Sequence, residues 1–310
     1  MRQACKISVT LHTASTDHLL LNNGIDSHIQ WFVDTLNRQN FKDFELILVD
    51  CLYPEKRDVV KKIKSNFPIK YVPNIRNYWQ NMGYMSLSSP KNSAILFSEG
   101  ELIIQFDDAE IFDENMLSIY WDYFKKGLLF HPVHHRPYKG RVSVDHRIDF
   151  IKKQQVEEYV HNYGSWLYAG TCFSLNDAIA LNGFNERLDG QKSLQDCEFG
   201  CRLQAINKKF VTHLSYPIHI VDHIEEYSKI YKEIKEKSNY GFILANMYLG
   251  IKDWTVKIFP EYLDIIYKDT DERMKNNKYT LTKLWQNCPN IDILKDREME
   301  LNKYYDKYYS

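Results

Sequence analysis

Between Cys5 and Val133 the apolar residues keep switching the period at which they recur, and that alternation limits the folds open to the chain. "FELILVD" (Phe44–Asp50) is apolar at nearly every position. A run so short and so apolar suits a strand buried on both faces. "CKISVTL" (Cys5–Leu11), "IKYV" (Ile69–Val72), "ELIIQF" (Glu101–Phe106) and "LLFHPV" (Leu128–Val133) have the same character. The stretches between them carry helical spacing instead. Ile29, Phe32, Val33 and Leu36 recur on one face, with Asp26 or Ser27 as N-cap. Val59, Val60, Ile63 and Phe67 predict a helix that Pro68 halts, and another covers about Lys91 to Phe97. Met116, Leu117, Tyr120 and Phe124 predict one capped by Asp113. Buried strands separated by helices imply an α/β fold with a mainly parallel sheet flanked by helices. Such sheets bind ligands at the carboxyl ends of their strands.

The second half is less regular. Arg136 to Arg147 is a basic, Tyr-containing loop, also holding His146 and Lys139, and following His134 and His135. "WLYAGTCFSL" (Trp166–Leu175) suits a strand, and Phe199, Leu203 and Ile206 share one face of a helix starting near Asp196. "KFVTHLSYPIHIVDH" holds one or two strands. From about Ile224 the chain is charged, Tyr-rich and helical in pattern. The expected division is therefore residues 1–224 as the α/β domain and 225–310 as a helical C-terminal extension.

Composition narrows the classes. With 44% apolar residues a sizeable core is available, and the net charge of −1 argues against a broad electrostatic grip on nucleic acid. None of the six cysteines forms a C-x-x-C pair, so a structural zinc site is not expected. No signal peptide and no apolar run of membrane-spanning length is present. The expectation is a soluble cytoplasmic protein. No G-x-x-x-x-G-K-[ST] or G-x-G-x-x-G motif occurs.

"SEGELIIQFDDAEIF" (Ser98–Phe112) ends an apolar strand in Asp107, Asp108 and Glu110. Neighbouring carboxylates repel unless a cation lies among them, and a hard divalent ion fits that need. The alternative is a solvated acidic turn before the helix near Asp113. Asp50 ends the second strand, so several acids collect on one sheet edge.

The order of motifs from about Ile7 to His223 resembles the GT-A glycosyltransferases, in particular glycosyltransferase family 2. "KISVTLHTAS" looks like the opening strand and nucleotide-binding loop, and "FKDFELILVD" like the second strand with its base-contacting aspartate, here Asp50. "SSPKNSAILFSEGELIIQFDDAE" resembles the segment that ends in D-x-D, with Lys91 in the place of the usual arginine and Asp108-Ala109-Glu110 on the D-x-D. "LNGFNERLDGQKSLQDCEFGCRL" resembles the segment that carries the catalytic base, with Gln195 replacing an acid and Asp196 on the base.

The resemblance implies a GT-A, Rossmann-like nucleotide-diphospho-sugar transferase. It implies a donor, a UDP-sugar foremost, held by Thr10, His12, Asp50, Lys91, Asp107 and Asp108. It implies Mn2+ or Mg2+ on Asp108, Glu110 and His219, and Asp196 as general base of an inverting reaction. A plain helix cap is the alternative for Asp196, a solvated lysine for Lys91, a surface or core histidine for His219 and a core tryptophan for Trp166. Glu198, four residues before Arg202, is expected to pair with it. The acceptor is open among glycan, lipid-linked sugar and protein hydroxyls, and a nucleic-acid acceptor is not favoured. Two rival classes are a nucleotidyltransferase, against which the absence of Gly and Lys in "LHTASTDH" counts, and a non-catalytic nucleotide-sugar or glycan binder of the same fold.

Overall fold

In the computed structural model, β1 (Ile7–Thr13), β2 (Phe44–Asp50), β3 (Ile69–Pro73) and β4 (Leu102–Phe106) are parallel, and β10 (Thr171–Ser174) adds an antiparallel edge to β4. The order is β10-β4-β1-β2-β3. The structure describes residues 5–13, 27–51, 53, 57–74, 87–107, 110–138, 141–181, 183–184 and 195–220. Asp108, Ala109, His223 and the expected extension 225–310 lie outside the described residues.

The mainly parallel sheet follows from the near-continuous apolar runs, since every residue of β2 and β4 is buried. α1 (Ser27–Asn37) lies on one face of the sheet, Phe32 meeting Phe106 at 5.4 Å and Phe112 at 6.0 Å between ring centroids. α4 (Met116–Lys125) joins it there through Tyr120, 6.2 Å from Phe106. α3 (Ser88–Phe97) packs over β1 and β2 on the opposite face. α7 (Gln195–Ala205) follows it, with Phe199 4.9 Å from Phe173 of β10.

Two further sheets complete the described fold. β6 (Leu128–Phe130), β11 (Lys209–His213) and β9 (Glu158–His161) form one, with β11 parallel to β6 and antiparallel to β9. The other runs β5 (Glu110–Ile111), β12 (Ile218–Ile220), β7 (His134–Tyr138) and β8 (Arg141–Val144).

Several local expectations are corrected. The helix expected to Phe67 is only α2 (Arg57–Val60); Ser65 and Asn66 bond locally and to Asn37 instead. The basic loop is the β7–β8 hairpin and then α5 (His146–Lys153), whose N-cap Asp145 accepts from the Arg147 amide at 2.9 Å. The strand expected over Trp166–Leu175 is a 3₁₀ turn (Gly164–Trp166), β10, and the start of α6 (Leu175–Ala180). Asp113 does not cap α4 with its side chain. Gln39, beyond the end of α1, accepts from the Leu117 amide at 3.0 Å and donates to the Asp113 carbonyl at 2.8 Å. A distant carboxamide thus satisfies one of the unpaired N–H groups at that helix start.

Candidate active site at the carboxyl edge

A parallel sheet places every strand tip, and the N-terminus of the helix that follows, on one edge. Asp50 stands at that edge at the end of β2, fully buried, and accepts a hydrogen bond from the Tyr71 hydroxyl. Tyr71 and Asp50 share a face, since Tyr71 lies opposite Leu48 two residues before Asp50. The Asp50 carbonyl accepts from the Asn74 amide at 3.2 Å, so the tips of β2 and β3 are tied together.

α3 supplies the next group. All ten of its residues are buried, yet five of the first six are polar. A buried polar helix start must find partners within the protein. Ser89 and Ser93 donate to the Asn74 carboxamide at 3.1 and 3.0 Å. Asn92 donates to the Phe184 carbonyl at 2.9 Å and accepts from the Phe184 amide at 2.6 Å, a two-way clamp on that segment. Lys91 forms an ion pair with Asp196 in the first turn of α7 and lies 5.2 Å over the Phe184 ring. Pro90 fits there because the first helical turn has no internal acceptor for its missing N–H.

α7 is seated by a glycine contact. A Cβ on Gly200 would lie 2.0 Å from the Gly164 carbonyl oxygen, so the helix backbone rests directly on the 3₁₀ turn. The Arg202 guanidinium donates to the Leu181 carbonyl at 2.6 Å and lies 5.2 Å over Phe199. The Glu198 side chain lies outside the described residues. Next to this turn, Tyr168 is exposed and lies over Arg147 at 5.2 Å.

The expected site residues separate into two groups. Lys91, Asp196 and Asp50 meet the carboxyl edge of the sheet. Thr10 lies within β1, buried, with its hydroxyl donating to the Ile104 carbonyl at 3.4 Å, and His12 is half-buried one residue before the strand end. Asp107 is exposed just past β4, and its amide donates to Glu110 Oε2 at 3.0 Å. Glu110 thus clamps its own turn while being 1% exposed.

Two of the expected metal ligands, Glu110 and His219, do not converge. Glu110 pairs with Ile220 and Ile111 with His219 across β5 and β12. Paired residues share a face and successive residues alternate, so Glu110 and His219 lie on opposite faces. Their surroundings agree: Glu110 is buried toward Tyr120, whose phenol is pushed up by burial, then Cys172 and the Glu110 charge. His219 is exposed, its ring 5.3 Å from that of His135 on the neighbouring strand. Among the described residues no three His, Cys, Asp or Glu side chains converge on one point.

Other expectations also change. Arg147, expected in a basic, Tyr-containing loop, is 1% exposed; its guanidinium pairs with Asp145 and donates to the carbonyls of Pro132 at 2.9 Å and Trp166 at 3.2 Å. Trp166 packs among His161 at 4.8 Å, Tyr163 at 4.8 Å and Phe150 at 5.3 Å. Sequence reasoning missed Tyr71, Asn74 and Gln39. Strand alternation alone places Tyr71 beside Asp50; Asn74 and Gln39 act across long sequence separations that leave no local signal.

The sheet order and its flanking helices define a mixed α/β protein with a mainly parallel central sheet. More particularly, it has the GT-A fold. No family model matches the sequence, and no curated protein matches it. Solved structures do. Residues 1–349 of S. aureus TarS in complex with UDP-GlcNAc superpose with a TM-score of 0.54 at 14% identity, over 98% of this chain and 89% of that one. The UDP complex of the same TarS segment gives 0.53 at 13% identity, over 98% and 93%. The segment on its own gives 0.52 at 14% identity, over 98% and 89%.

Proposed function

We propose that this protein is a glycosyltransferase that moves a sugar from a nucleotide-diphosphate donor, a UDP-sugar, to an acceptor hydroxyl with inversion. One observation carries the reading: Lys91 and Asp196, from the first turns of two helices, meet at the carboxyl edge of a GT-A sheet. The UDP and UDP-GlcNAc complexes of TarS support the donor class.

In this reading Asp50, held by Tyr71, takes the nucleoside base. Asp196 removes the proton from the acceptor hydroxyl as its oxygen attacks the anomeric carbon, and the nucleoside diphosphate departs. Lys91 orients Asp196. Its ammonium has three donors, so it can hold Asp196 Oδ1 and still face a departing phosphate oxygen. Asp196 Oδ2 then receives the proton. The acceptor is a hydroxyl of a glycan, a lipid-linked sugar or a protein.

Of the ligands implied for Mn2+ or Mg2+, Glu110 and His219 face apart and do not share one ion. Metal binding through Asp108 is a separable part of the proposal, tested by titrating UDP with and without Mn2+ into the wild type and Asp108→Ala. Metal-independent affinity, unchanged by the substitution, counts against it.

The reaction is tested with a panel of nucleotide sugars, since a transferase slowly hydrolyses its own donor. Asp196→Asn is expected to lower that hydrolysis about 10²–10⁴-fold while UDP binding persists. Binding without any nucleotide release in the wild type would instead identify a non-catalytic binder.

A further inference from the structure

The row Thr10–Gln105–Thr171 crosses β1, β4 and β10 in register on the face covered by α3 and α7. α3 lies over β1 and β2 and α7 lies against β10, so the row lies on the sheet face that carries both helices. Gln105 is 3% exposed, and neither its Nε2 nor its Oε1 has a hydrogen-bond partner. Gln195, beside Asp196, is 4% exposed with Oε1 likewise unpartnered. Four residues separate it from Phe199, so Gln195 shares the helix face that packs on the sheet. The Lys91–Asp196 pair joins the first turns of these two helices.

Buried carboxamides are normally fully hydrogen-bonded, and leaving them unpaired opposes folding. Two such groups lie on this side of the sheet, Gln105 on the strand row and Gln195 next to the proposed base on α7. The geometry points to Gln105 and Gln195 as the residues that recognise the transferred sugar, exchanging hydrogen bonds with its hydroxyl or acetamido substituents. A carboxamide both donates and accepts, which matches a sugar hydroxyl. A site built to bond such a group discriminates strongly against a ligand that lacks it. This assignment rests on the proposed donor class and adds the residues that select the sugar.

Calorimetric titration of UDP and UDP-GlcNAc into the wild type, Gln105→Met and Gln195→Met tests it. Methionine keeps the length and removes the hydrogen bonds. UDP affinity should stay within about twofold, UDP-GlcNAc affinity should fall about tenfold or more, and the melting temperature of the unliganded variants should hold or rise. Unchanged UDP-GlcNAc affinity in both variants overturns the assignment, and so does a wild type that binds UDP-GlcNAc no more tightly than UDP. Failure of both variants to fold, with Gln105→Leu and Gln195→Leu failing too, would make the carboxamides structural and also overturn it. A wild type that binds neither ligand refutes the donor class itself, a distinct result.

Discussion

At the scale of single residues, the site is governed by the pairing of Lys91 with Asp196. Lys91 is 5% exposed and Asp196 19% by side chain, so each charge depends on the other. Removing one member of a buried pair strands its partner. Lys91→Met is expected to cost about 2–3 kcal/mol, read from the urea midpoint. An unchanged midpoint would mean that the two side chains do not pair in solution. The acids at the strand tips were legible in the sequence because aspartates ending apolar runs stand out. The partners were not. Lys91 and Asp196 are separated by 105 positions, and only the seating of α3 and α7 on the same face of the sheet brings them together. Residue type likewise left Glu110 open as a metal ligand, whereas strand pairing turns it away from His219.

At the scale of elements, glycine contacts decide where the site helix rests. Gly100 lies so close to β1 that a Cβ would be 2.4 Å from the Ser8 amide nitrogen. β1 and the entry to β4 touch there through backbone. Gly200 has the same role for α7. Gly200→Ala would drive a methyl into the Gly164 carbonyl, a clash that neither backbone can avoid without moving. The expected loss is about 1–3 kcal/mol, as for other overpacked sites. Donor hydrolysis should fall as well, because α7 carries Asp196. A variant with wild-type melting and hydrolysis would show that the two backbones separate freely. Strands were the elements best predicted, since double-sided burial writes a continuous apolar run. The hairpin β7–β8 was missed because its basic residues hide the alternation.

At the scale of the whole molecule, the junction of the smaller sheets is held by buried ionisable groups, which makes stability depend on pH. Burial, then the Arg147 charge, lowers the His161 imidazole to about 4. Burial, then Arg147, His161 and His134, holds His131 well below its usual 6.5. Between about pH 6.5 and 4 the unfolded chain therefore binds more protons than the folded one, and stability falls as pH falls. Asp145 acts lower on the scale. Burial pushes it up, but the hydrogen bonds and charge of Arg147 prevail and hold it at about 2. Its contribution is present above about pH 4 and is lost as pH falls toward 2. The urea midpoint should thus decline from pH 7 to pH 5, before any carboxylate titrates. His161→Phe should flatten that slope; a slope left unchanged would place the proton uptake elsewhere.

The alternation of apolar periods determined by itself the α/β class and the parallel core with its carboxyl edge, because burial on both faces of a strand leaves no choice of residue type. No helix among the described residues is long and apolar enough to cross a membrane. Tertiary structure alone decided which charges meet, that Glu110 faces the core, and which buried carboxamides are left without partners. Those outcomes depend on strand register and helix seating, which couple residues far apart in the chain and leave no periodic trace in the sequence.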